Sequence, residues 1–187
     1  MDIEEIQQRI KQAEKLHITE KSHNDEARLD MSGYAGVIEY YPEELVITVK
    51  AGTTIATIEH VLAQQGQALT FSVENSNAIT IGCAYAVGSP ELSDAVLGIK
   101  IIDGQGRLLR FGGQVMKNVA GYDVARLLVG SRGKLAVICE VSFKVLPLAY
   151  CQQQNREKIL NTPNKSATVI KIEQGLKTIF DPKGVFI

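Results

Sequence analysis

Phe111–Leu146 reads FGGQVMKNVAGYDVARLLVGSRGKLAVICEVSFKVL, the densest run of glycines and unusual pairings in the chain. Gly112-Gly113 predicts a flexible turn. Lys117, Asn118, Gly121, Tyr122 and Asp123 follow as a polar loop kinked by glycine. Val124–Val129 is apolar enough for a short buried helix, and Gly130-Ser131-Arg132-Gly133 breaks it. Glycines on both sides of a short helix bring backbone close to something else. Taken alone, the pattern favours a buried turn–helix–turn joining two strands. Leu135–Leu146 then predicts a long strand. Leu135, Val137, Cys139, Val141, Phe143 and Val145 alternate onto one face, and the other face is partly apolar, as in a strand buried on both sides.

Composition bounds the rest. The chain has 187 residues, 45% hydrophobic and 22% charged, which is enough for a real core and one or two subdomains. Its net charge of -1 gives no electrostatic reason to bind nucleic acid or an anionic membrane. No apolar run reaches the length of an integral membrane segment, and the N-terminus is acidic and amphipathic, unlike a signal peptide. Cys83, Cys139 and Cys151 are odd in number and lack metal-ligand spacing, so free thiols in a cytoplasmic protein without a metal site are expected.

Outward from the opening stretch, Ile3, Ile6, Ile10 and Ala13 predict an amphipathic helix over Asp2–Lys15, and Leu16–Thr19 a short strand. Gly36–Tyr40 and Leu45–Lys50 read as strands around a turn at Tyr41-Pro42-Glu43-Glu44. Thr53 or Thr54 caps a helix with Ile55, Ile58, Val61 and Leu62 on one face, stopped by Gly66. Ile99–Ile102 and Arg107–Phe111 form a hairpin across Asp103-Gly104-Gln105-Gly106. Val169–Phe180 is a helix. His17 and His60 have no partner at catalytic spacing and read as structural.

The run GGQVMKNVAGYD, the GSxG turn and the strand EVSFKVLP together resemble the flavin domain of the glycolate oxidase E subunit family. That family belongs to the vanillyl-alcohol-oxidase/p-cresol-methylhydroxylase (PCMH) flavoproteins. The likeness covers most of Leu16–Leu148 and returns at Ile172–Phe186, where FDPKGVF resembles the family's FDPxGIF ending. It implies an α+β, PCMH-type FAD-binding fold of two subdomains. Residues 1–150 make the FAD-binding-like domain. A linker at 151–165 stands where full-length relatives insert a substrate-binding cap domain, and 166–187 return to the first domain. Roughly fifteen residues cannot build a cap, since independent domains start at about fifty.

The same resemblance implies FAD as cofactor. It assigns Gly82, Lys117, Asn118, Gly121, Tyr122, Asp123, Gly130, Ser131 and Gly133 to its binding, and gives no residue as catalytic acid or base. Departures at four places, Glu20, Cys83, a missing loop and the missing cap, weaken the implied site. Glu20 stands near the first glycine of the phosphate loop, in EKSHNDEARLD, with Lys21 offsetting part of its charge. His23, where some members attach flavin covalently, lacks the flanking glycines and reads as an exposed loop histidine. Cys83 replaces the second glycine of Thr80-Ile81-Gly82-Cys83-Ala84 and reads as a small core residue, while Lys134 and Ala136 replace a threonine and a glycine. A loop is missing after Gly88-Ser89-Pro90, and the cap is missing altogether. A kept scaffold with a damaged site implies an accessory subunit with weakened or lost FAD binding and a role in assembly. It would act as a homodimer or with other subunits of a glycolate-oxidase-like complex. The alternative is a flavoprotein subunit of a 2-hydroxy-acid oxidase or dehydrogenase.

Overall fold

The structure is a computed structural model and describes residues 1–19, 27–114, 123–151 and 167–187. Glu20, Lys21, His23, Lys117, Asn118, Gly121, Tyr122 and nearly all of the expected linker therefore lie outside the described residues.

The first helix, α1 (Ile3–Gln12), is capped by Asp2, whose Oδ1 accepts the Glu5 amide at 2.8 Å. Ile6 and Ile10, one turn apart, are completely buried, each worth about 1.5–3 kcal/mol of apolar burial. The helix stops at Gln12, short of the expected Lys15. β1 (His17–Thr19) then pairs in parallel with β2 (Arg28–Asp30).

The main sheet has six strands. β3 (Val37–Tyr41) and β4 (Val46–Lys50) flank the turn at Pro42–Glu44. β5 (Gln67–Leu69), β6 (Val96–Ile102), β7 (Leu108–Gly112) and β8 (Val137–Pro147) complete it. The order is β3-β4-β8-β6-β7, with β5 also on β8, and every pairing is antiparallel. β8 is central because it is long and apolar on both faces. The strands near 37–50 are joined to β8 in one continuous sheet.

Between Lys100 and Ile101 the register on β8 jumps from Glu140 to Ile138, which leaves Cys139 as an extra residue. The bulge reverses the alternation. Val137 and Cys139 pack with α1, β1 and Phe186, whereas Ile138, Val141, Phe143 and Val145 join the larger cluster on the other side. The single face expected for all of them is therefore two faces.

Helices cover the larger cluster. They are α2 (Ile55–Ala63), α3 (Ile81–Val87), α4 (Pro90–Ala95) and α5 (Val124–Leu127). Thr54 is the α2 cap, while Thr53 Oγ1 accepts the Gly36 amide at 2.9 Å and donates to Lys50 O at 2.7 Å. α6 (Leu148–Cys151) follows β8, so Cys151, expected to open the linker, is buried in a helix. α7 (Ala167–Phe180) closes the larger cluster with Phe180. The chain then returns to α1 and β1, with Leu16 donating its amide to Val185 O at 2.8 Å.

Candidate functional site

A small cleft lies where the end of β1, the N-terminus of α3 and the turn at 130–136 converge. It holds about 120 Å³, and its walls include Ile18, Thr19, Gly82, Cys83, Arg132 and Gly133. The remaining wall is mostly apolar, with Ala51, Ala136 and Ile138. Among the described residues that line it, the titratable groups are Cys83 and Arg132. No carboxylate or imidazole faces the cleft from them to act as acid or base.

The N-terminus of α3 forms one wall. A helix start offers free amides that suit an anion, unless the protein uses them itself. Here it does. Ile81 donates to Thr53 O at 2.8 Å, Gly82 to Ala51 O at 2.8 Å, and Cys83 to Oγ1 of the cap Thr80 at 3.2 Å. Gly82 is glycine for packing, since a Cβ there would stand 3.0 Å from both Cβ and O of Ala51. Cys83, expected in the core, is only half-buried on the cleft wall.

The opposite wall is the turn after α5. Gly130 (φ +80°) donates its amide to Tyr85 O at 3.0 Å, and Arg132 to Ala86 O at 2.8 Å. These bonds satisfy the last carbonyls of α3. A Cβ on Gly88 would meet the Gly130 nitrogen at 2.8 Å, so the two glycines allow α3 and the turn to touch. The Tyr85 hydroxyl donates to Ala125 O, and burial, with the Asp123 charge adding, pushes its pKa up so that it stays a neutral donor.

Of the sequence-derived cofactor residues, Gly82 and Gly133 meet at this cleft. Gly130 serves the α3 contact. Asp123 caps α5, accepting the Arg126 amide at 3.1 Å and pairing with its guanidinium at 3.2 Å. Ser131 faces a second groove of about 440 Å³ beside Lys134, Lys177 and Phe186, and its buried Oγ has no hydrogen-bond partner. Arg132 was missed in the sequence because the variable position of a glycine turn reads as filler. Among the described residues no group of acidic, histidine or cysteine side chains could hold a metal.

The cleft by itself, about 120 Å³, is smaller than the roughly 300–1,000 Å³ of sites for ligands of FAD's size, and its α3 amides are used internally, while the groove of about 440 Å³ shares Arg132 with it.

The comparisons set this frame in a family. The FAD binding domain family matches residues 8–112, more than half of the chain, so the chain belongs to that family. It is 46% identical over 128 residues to glycolate oxidase subunit GlcE of Escherichia coli, covering 64% of this chain and 37% of that protein. It is 31% identical over 121 residues to glycolate oxidase subunit GlcD of Bacillus subtilis, covering 59% of this chain and 25% of the relative. The matched part of the chain thus spans between about a quarter and little more than a third of these curated relatives. An alkyldihydroxyacetonephosphate synthase structure superposes with a TM-score of 0.55 at 21% identity, covering 64% of this chain and 23% of that one. That likeness bears on the fold alone, which is the PCMH-type FAD-binding fold anticipated from the sequence.

Proposed function

We propose that this chain is an accessory subunit of a glycolate-oxidase-like complex in the cytoplasm. It uses the PCMH-type frame for assembly and has weakened or lost FAD binding. The observation that carries the reading is the internal use of the α3 amides beside a cleft of about 120 Å³. A ligand of FAD's size needs more room than this cleft offers, and free donors to hold it. The lack of acid–base groups on the described cleft wall supports a role without chemistry of its own. Exposed apolar side chains support the assembly role. Val87 is 65% exposed beside the shortened loop, and Tyr150 is 64% exposed where the cap is replaced. Where such side chains join into one contiguous patch, a partner usually covers it. In this reading residues 1–150 are the domain, 151–165 a linker and 166–187 its closing helix.

A second reading, an FAD-binding subunit of a 2-hydroxy-acid oxidase or dehydrogenase, draws on one observation. Gly82 and Gly133 both line one mostly apolar cleft. Absorption and light scattering separate the two. The accessory reading expects protein purified without added FAD to be colourless, and to run as a dimer or with co-purifying subunits. A yellow, strictly monomeric protein would sink it.

A further inference from the structure

α7 buries Phe180 in the larger cluster and packs Leu176 partly against it. A neighbouring face of the same helix carries residues that the fold of one chain leaves without a reason. Ile172 is 52% exposed, and Ile179, seven residues on, is 64% exposed. Residues seven apart lie on one stripe of a helix, and Gly175 stands between them, three residues from the first and four from the second. Glycine is the poorest helix former after proline. Nothing stands within 4 Å of where a Cβ on Gly175 would sit, so no neighbour among the described residues requires a glycine there. Single exposed apolar residues are ordinary. Two exposed isoleucines around a glycine that its own chain does not need form a seam on which a second helix packs closely.

We propose that α7 is where two copies of this chain meet, as an antiparallel helix pair crossing at Gly175. The stripe is self-complementary in that orientation. A two-fold axis between Gly175 and Leu176 sets Ile172 of each copy against Ile179 of the other. It also brings the glycines together at the crossing, where the helix axes can approach within the usual separation of about 8–10 Å. The charges agree with this choice. Glu173 and Lys177 line the groove away from the stripe, and Lys177 is held by Asp181 at 2.6 Å. Lys171 is exposed beside the stripe. Antiparallel packing places the two Lys171 ammoniums at opposite ends of the contact, whereas parallel packing would set them side by side and align the two helix dipoles. One helix pair is a small interface, so the dimer is weak and concentration-dependent. The contact gives the assembly role proposed above its surface and rests on that role, but not on the state of the flavin site.

Sedimentation velocity of the purified full chain over a concentration series tests this, with Gly175→Leu and Ile179→Glu as variants. The unaltered chain should pass from monomer to dimer as concentration rises. Leucine is the better helix former, so Gly175→Leu should hold or raise the melting temperature measured at low concentration. Its bulk at the crossing should nonetheless raise the dissociation constant of the dimer about tenfold, and the buried charge in Ile179→Glu should do the same. A glycine with a purely structural role would not move stability and association in opposite directions. A chain that stays monomeric throughout, its stripe left to a helix of another subunit, would overturn the proposal. So would a dimer that both variants leave unchanged, a result that the accessory reading would survive. A yellow protein whose dimer both variants weaken would uphold this contact and overturn the loss of flavin proposed above.

Discussion

Asp181 ties the C-terminal return to α7 through one buried carboxylate. Its carboxylate is buried and accepts the Lys177 ammonium at 2.6 Å and the Val185 and Phe186 amides at 2.8 Å each. Asp181→Ala would leave the Val185 and Phe186 amides unpaired and take the counter-charge from the Lys177 ammonium, which keeps Lys134 O and Phe186 O as acceptors. We expect it to cost about 3–5 kcal/mol, read as a lower denaturant midpoint with an unchanged slope. Wild-type stability in that variant would contradict the assignment. The thiols make a second test at this scale. Burial, with the Glu140 charge adding, pushes the Cys139 thiol up to about 12. The fold therefore favours its neutral form. That contribution is complete below an ordinary thiol pKa and is lost as pH rises toward 12. At pH 8, iodoacetamide followed by peptide mass spectrometry should modify the half-buried Cys83 first and leave Cys139 intact until unfolding. The resemblance gives Asp123 as a cofactor residue, and the structure shows it capping α5. Caps and ligands draw on the same residue types.

At the scale of elements, most helices and strands of the fold were legible because their apolar periods are clean. The bulge in β8 was not. Val137, Ile138 and Cys139 are all apolar, so a shift of one residue leaves no mark on the pattern. α3 was also missed, since Ile81–Val87 was read for flavin contacts rather than for helix, although Thr80 is an ordinary cap. α3 is tied to α5 by the Tyr85 hydroxyl on Ala125 O. Tyr85→Phe leaves that carbonyl unpaired and should destabilise by about 1–2 kcal/mol. Hydrogen exchange should quicken in the amides of α3 and α5 before those of β8. Uniform quickening across the sheet would place the tyrosine's role elsewhere.

The whole molecule joins the family frame to a small cleft of about 120 Å³. The family frame was readable from the opening stretch and from the C-terminal FDPKGVF, because both meet in the core around β8 and Phe186. The internal use of the α3 amides was not readable, because it depends on Ala51 and Thr53, far away in sequence. Those spent donors underlie the central claim that this subunit holds FAD weakly or not at all. The most direct measurement is a titration of the purified full chain with FAD, followed by flavin fluorescence at equilibrium. The account predicts no saturable change, or half-saturation tens-fold weaker than a stoichiometric flavoprotein shows. Stoichiometric, saturable binding at protein-limited FAD would contradict it.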